Sequence, residues 1–304
     1  MAKKNFPRAL FAFLFMSVAA FPFSLYFTPN RATDQIIIDL VRNAEKSVYI
    51  ASYSFSWKAL ADELDRKKGI DIRIIVDGAP ASIDRVKAVK VDRKSSLFHP
   101  KFMVVDGRCV ILGSGNFTQD NLRLHHNHFI FFEDEKIAAI LTEKFNSWWQ
   151  GEIIDSRYEE GNMKIYFSPE NDCRGLIGKV VASAKNEVRF AMYHFTSQEL
   201  ARVLIGRKLA GVKVYGMIES FSVEPHSVCA ALSNFGCAVR KSNRAGFLHD
   251  KFIIVDGETV ITGSYNLTAA AERNTEVVVV IKDRKLASEF MEEWKKMWRY
   301  FSLP

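Results

Sequence analysis

The chain has 304 residues, 48% of them hydrophobic and 25% charged, enough to bury a core in one large domain or in two. That composition excludes a disordered or fibrous protein, and four cysteines (Cys109, Cys173, Cys229, Cys237) without C-x-x-C or zinc spacing give no metal or thiol-redox signature. Of the net charge of +7, Lys3, Lys4 and Arg8 supply three, so the remainder carries +4, which suits polyanions or anionic lipid heads and does not choose between them.

In chain order, the basic residues Lys3, Lys4 and Arg8 precede an apolar run from Ala9 to Phe23, with the small residues Val18-Ala19-Ala20 inside it. This reads as an export signal over residues 1–23, placing the protein in a secreted or periplasmic setting. Extending the run through Phe27 makes it long enough for an uncleaved anchor on the outer side of a membrane; a buried first strand behind an apolar leader is the third reading. In an exported protein the cysteines allow one or two disulfides, although Cys109, inside an apolar alternation, reads as a small buried hydrophobe.

From Leu25 onward the chain is one unit written twice, over 24–150 and 163–304. Leu25-Tyr26-Phe27-Thr28-Pro29 returns as Ile165-Tyr166-Phe167-Ser168-Pro169. A helix follows each, with Ile37, Leu40, Val41 and Ala44 at i, i+3, i+4 and i+7, matched by Leu176, Ile177, Val180, Val181 and Ala184. Strands are predicted at Val48–Tyr53 and Val188–Tyr193, then a helix, then strands at Ile72–Val76 and Val212–Ile218. Phe102–Val105 and Phe252–Val255 each turn at Asp-Gly into Val110–Leu112 and Val260–Thr262. Each half closes with a strand (Phe129–Phe132; Val277–Ile281) and an amphipathic helix. Ile137, Ile140, Leu141 and Trp148 mark one helix, and Leu286, Phe290, Trp294 and Trp298 the other; the tryptophans read as packing rather than as a ligand platform. The polar stretch Gln150–Gly161 is the seam. Alternating strands and helices predict an α/β fold of two similar halves, with mixed sheets flanked by helices. Half a site in each copy predicts a pseudo-two-fold with the active site at the seam.

That half-site is the pattern His-x-Lys-(x)4-Asp-(x)6-Gly-Ser-x-Asn. It comprises His99, Lys101, Asp106, Gly113, Ser114 and Asn116 in one copy, and His249, Lys251, Asp256, Gly263, Ser264 and Asn266 in the other. Cleaving a phosphodiester takes a nucleophile, an acid for the leaving alkoxide and donors for the non-bridging oxygens. Histidine serves either of the first two roles near neutrality. Lys101 and Lys251 supply charge, while Ser114, Asn116, Ser264 and Asn266 supply neutral donors to the substrate. Asp106 and Asp256, directly before glycine, read as structural, holding strand ends or pairing with lysine.

These residues resemble the phospholipase D superfamily, whose signature is this duplicated motif, and the resemblance covers the chain after the leader. The compact halves are similar to its small nuclease-type members. The resemblance implies a two-step reaction that needs no metal or other cofactor and passes through a phosphohistidine. One motif histidine attacks, and the other protonates the leaving group and then activates water or an acceptor alcohol. It also implies a carboxylate, shortly after the asparagine, that orients a histidine. Glu276 stands ten residues after Asn266, whereas the first half has Asn127, eleven after Asn116. The expectation is that Glu276 reaches across the seam to His99, making it the nucleophile and leaving His249 as acid and base. His125, His126 and His128 read as site-edge or surface polar residues rather than a metal site, and His194 stays outside the catalytic set.

The substrate reads as a phospholipid or as DNA or RNA. Compactness and residual positive charge favour nucleic acid. An exported setting and the aromatics Trp57, Phe221 and Phe247 favour lipid and an N-terminal association with a membrane. The alternatives are a phosphatidyl transferase of cardiolipin-synthase type and a non-catalytic polyanion-binding module. The internal pseudo-dimer predicts a monomer.

Overall fold

The structure, a computed structural model, describes residues 23–78, 86, 88–222, 228–242 and 245–301. The export signal or anchor expected over 1–23 lies, apart from Phe23, outside the described residues. Phe23 opens a strand: β1 (Phe23–Thr28) pairs antiparallel along its whole length with the last strand of the first half.

The first half continues with α1 (Arg31–Arg42), β2 (Ser47–Ser52), α2 (Lys58–Arg66), β3 (Asp71–Asp77), β4 (Val89–Asp92), β5 (Lys101–Val105), β6 (Cys109–Gly113), α3 (Gln119–Arg123), β7 (Asn127–Glu133) and α4 (Glu135–Gln150). The second half repeats it as β8 (Tyr158–Glu160), β9 (Met163–Ser168), α5 (Cys173–Ala182), β10 (Glu187–Met192), α6 (Gln198–Leu209), β11 (Lys213–Ile218), α7 (Val228–Asn234), β12 (Ala238–Lys241), β13 (Lys251–Val255), β14 (Thr259–Gly263), β15 (Glu276–Lys282) and α8 (Arg284–Tyr300). The first sheet runs β1-β7-β6-β5-β2-β3-β4; the second runs β8-β9-β15-β14-β13-β10-β11-β12, the same order with one strand added. That added strand, β8, comes from the stretch read as a seam. Both sheets are mixed, since β2-β3-β4 and β10-β11-β12 are parallel and the remaining pairs antiparallel. The fold is therefore α/β in two similar halves.

Alternation along the strands sorts side chains onto two faces of each sheet. Ile50, Met103, Val105 and Ile111 face α1 and α2, while Phe190, Ile253, Val255 and Val278 face α5, α6 and α7. The opposite faces, with Phe102, Val104 and Ile130 from one sheet and Phe252, Ile254 and Val279 from the other, share a third core with α4 and α8. Asp134 and Asp283 cap these two helices at their N-termini, Asp134 accepting from the N–H groups of Lys136 and Ile137 and Asp283 from that of Leu286. Trp148 packs its ring against Phe98 of one half and Phe167 of the other, so the tryptophan helix works as inter-half packing. All four cysteines are free thiols.

Candidate active site

Each motif histidine is fixed by the opposite half. His99, two residues before β5, donates its main-chain N–H to Thr275 O at 2.9 Å, and Thr275 returns a bond to Leu97 O. His249, two residues before β13, donates to His126 O at 3.0 Å, and His126 donates to Phe247 O. The imidazoles repeat the exchange. His99 Nδ1 lies 2.7 Å from Glu276 Oε2 on β15, and His249 Nδ1 lies 2.7 Å from Asn127 Oδ1 on β7. Asn127 Nδ2 donates to Asn121 O at 3.0 Å, which turns its carbonyl oxygen toward His249. Both partners accept, so each Nδ1 carries a hydrogen and each Nε2 keeps its lone pair in the neutral ring.

The motif glycines make this approach geometrically feasible. A Cβ on Gly113 would sit 2.0 Å from His128 O, and one on Gly263 2.1 Å from Val277 O. Only glycine lets the ends of β6 and β14 close on the strands that carry Asn127 and Glu276.

Lys101 and Lys251 are buried, each donating to the carbonyl of its own motif histidine, at 2.7 and 2.6 Å. Burial holds Lys101 well below the ordinary lysine range, with Lys251 adding to the effect and Glu276 opposing it. Burial brings Lys251 down to about 7, against the opposing pull of Asp250 and Glu276. His99 is lowered to about 4 by burial, with Lys101 and Lys251 adding to it and Glu276 opposing. His249 is pushed well below 6.5 by burial and by Lys251, Lys101, His99 and His125. The site thus buries two neutral imidazoles beside two lysines and the Glu276 carboxylate, and an entering anion raises the proton affinity of the imidazoles and the lysines.

Ser114 and Ser264, expected as substrate donors, are buried and lie against the partners of the histidines. Ser264 Oγ lies 2.5 Å from Glu276 Oε2, and Ser114 Oγ lies 3.1 Å from Asn127 Oδ1 and 3.4 Å from Asp250 Oδ1. Asp106 and Asp256 hold strand ends, as the sequence reading has it, and no hydrogen bond joins either to a motif lysine. Asp106 accepts three main-chain N–H groups, from Glu45, Lys46 and Ser47; Asp256 accepts from Lys185, Asn186 and Glu187. Both are left-handed (φ 55° and 52°) and precede left-handed glycines, the conformation of a type I′ hairpin turn. Among the described residues the side-chain oxygens of Asn116 and Asn266 are buried and unpartnered.

The three neighbouring histidines diverge. His125 stacks on Phe247, His126 faces Tyr300 and Phe301, and His128, contrary to its reading as a site-edge or surface residue, is wholly buried with Nδ1 2.7 Å from Asp250 Oδ1. His194 packs against Tyr193 and Phe221. Trp57 is core, whereas Phe221 and Phe247 are about half exposed and meet Tyr193, whose ring lies 4.5 Å from that of His249.

Sequence reasoning passed over two carboxylates. Asp77 accepts from Phe98 N–H at 2.8 Å and Glu219 from Leu248 N–H at 2.6 Å, each pinning the residue before a motif histidine. Their signal was positional, since both directly follow the matched strands Ile72–Val76 and Val212–Ile218. Thr28 and Ser168 were visible in the repeat without their role. Each hydroxyl donates to the loop that leads to Asn127 or Glu276.

Residues 37–149 and 177–298 each match the family model described as cardiolipin synthase, PLD-like domain. The chain belongs to the phospholipase D superfamily. It is 32% identical over 170 residues to phospholipase D of Rickettsia felis, a match covering 55% of this chain and 82% of that protein. A phospholipase D family member from Salmonella typhimurium, Nuc, is 36% identical over 45% of this chain and 93% of its own, with a TM-score of 0.43. The phosphatidylserine synthase of Haemophilus influenzae is 12% identical and shares the fold, at a TM-score of 0.68 over 91% of this chain and 86% of that one.

Proposed function

We propose that this protein is a phosphodiesterase of the phospholipase D type that cleaves phospholipids without a metal, through a phosphohistidine on His99. One observation carries the reading: the Glu276 carboxylate on His99 Nδ1 leaves Nε2 as a lone pair made more nucleophilic by the charge behind it. Nε2 attacks phosphorus, the P–O bond to the leaving alcohol breaks, and His249 Nε2–H protonates the departing oxygen. His249 then takes a proton from a water molecule whose oxygen attacks phosphorus as the P–N bond breaks, restoring neutral His99. Before the first step His249 must be charged, and the anionic diester favours that. Lys101 and Lys251 offset the charge on the non-bridging oxygens, and Asn116 and Asn266 supply donors. An acceptor alcohol in place of water makes the same site a phosphatidyl transferase.

The lipid reading is supported by the exposed Phe221 and Phe247 beside His249, and by the phospholipase D and cardiolipin synthase descriptions of the matches. An exported or outward-anchored location for the chain, suggested by its first 23 residues, is part of the same proposal. The test is done in EDTA, with phosphatidylglycerol and phosphatidylcholine vesicles in one arm and single- and double-stranded DNA in the other. Head-group release that vanishes in His99→Ala is expected, with a phosphohistidine trapped in His249→Ala and absent in His99→Ala. DNA cleavage instead would reassign the substrate, and silence in both arms would reject the reading.

A further inference from the structure

The two halves differ in where they keep their negative charge. Behind His99 a carboxylate touches the imidazole directly, whereas behind His249 the equivalent place holds the amide of Asn127. A carboxylate does occur on that side, farther back. Ser114 Oγ stands between Asn127 Oδ1 and Asp250 Oδ1, two acceptors that share its single proton, and Asp250 Oδ1 meets His128 Nδ1. His128 Nε2 is in turn hydrogen-bonded to Thr262 Oγ1, which reaches Lys251 O at 3.3 Å. The first motif has no such device, because Pro100, Val277 and Leu112 stand where Asp250, His128 and Thr262 stand. Burying a carboxylate and an imidazole costs several kcal/mol unless each is paired. These two are nearly inaccessible and paired with each other, and Asp250 Oδ2 has no partner among the described residues.

We propose that Asp250, held by His128, is the remote counter-charge of His249, acting through Ser114 and Asn127 as a positioning group for the acid step. It rests on the role given to His249 above. A carboxylate in direct contact makes His99 the stronger base and nucleophile. The same charge set back behind a hydroxyl and an amide leaves His249 a better acid while still favouring its charged form over a wholly neutral surround. The other groups around His249 do not replace it. Lys251, Lys101, His99 and His125 oppose its protonation; Tyr193 packs on its ring; Glu276 is engaged by His99 and Ser264, and Glu219 by Leu248 N–H and Ser220.

The test compares two diesters that retain the same phenyl group on phosphorus: diphenyl phosphate, whose phenolate leaves poorly without an acid, and phenyl p-nitrophenyl phosphate, which needs none. Asp250→Asn, which keeps an acceptor for His128, is expected to lower kcat/KM for diphenyl phosphate about tenfold or more. It should change turnover of the nitrophenyl ester by less than about twofold and move the basic limb of the diphenyl profile to lower pH. Ser114→Ala should act in the same direction, less strongly, and decides the matter if Asp250→Asn does not fold. Equal losses on both esters, or no change on either with the limb unmoved, would overturn the proposal while leaving the phosphohistidine reading intact. A wild-type protein that turns over neither ester and traps no phosphohistidine removes both.

Discussion

Glu276 is the residue through which the site departs most from a symmetric one. Glu276→Gln keeps an acceptor for His99 Nδ1–H and removes the charge, so kcat is expected to fall about 10- to 100-fold with KM little changed, as steady-state kinetics on vesicles can show. His99 also writes a pH signature into stability. Its folded value near 4 is below the 6.5 of an exposed histidine. Between those values the unfolded chain takes up a proton that the folded chain refuses. The stability contribution is therefore complete above 6.5 and lost as pH falls toward 4. His99→Asn, which cannot titrate, should lose less Tm than the wild type between pH 7 and pH 4. A wild-type Tm as flat as the variant's over that range would contradict the burial described here.

At the scale of the elements, the Asp-Gly turns make the clearest separation between folding and chemistry. Asp106→Ala removes three charge-assisted acceptor bonds and puts a Cβ-bearing residue without local support at φ 55°. Denaturant titration should show a loss of about 2–4 kcal/mol, with kcat per folded molecule unaltered. The turn, the strands flanking it and the amphipathic helices were legible in the sequence, because periodicity and Asp-Gly chemistry are local and each occurs twice. The strands β4 and β12 and the helices α3 and α7 were not, being four to seven residues long and stabilised by neighbours rather than by pattern. The histidines and lysines could be picked out because motif spacing is a sequence property, and Glu276 because the family resemblance implies a carboxylate after the asparagine. Whether Ser114 faced the substrate or Asn127 could not, since that depends on which strand closes upon Gly113. Asp250 was hidden inside the motif itself, in the position between His249 and Lys251 where spacing places no demand.

For the whole molecule, the shared central core and the crossed histidine contacts predict that the halves belong together. Residues 1–150 and 151–304, produced separately and mixed, should form a one-to-one pair detectable by analytical ultracentrifugation and recover activity. Two copies of the second half should not pair stably, because that arrangement would set Asp250 against Val277 of the other copy and bury its carboxylate without His128, at a cost of several kcal/mol. Stable homodimers of the second half would show that this polar pair does not select the partner.

The crossed bonding also bears on how such a duplicated chain changes over generations. A repeat is ordinarily expected to drift as a block, each copy answering to its own neighbours. Here position 99 answers to 276 and position 249 to 127, so a change in one copy's histidine surround is tested against the other copy. The two contacts form diagonals that cut across the duplication. With a carboxylate on one diagonal and an amide on the other, the two copies are not interchangeable.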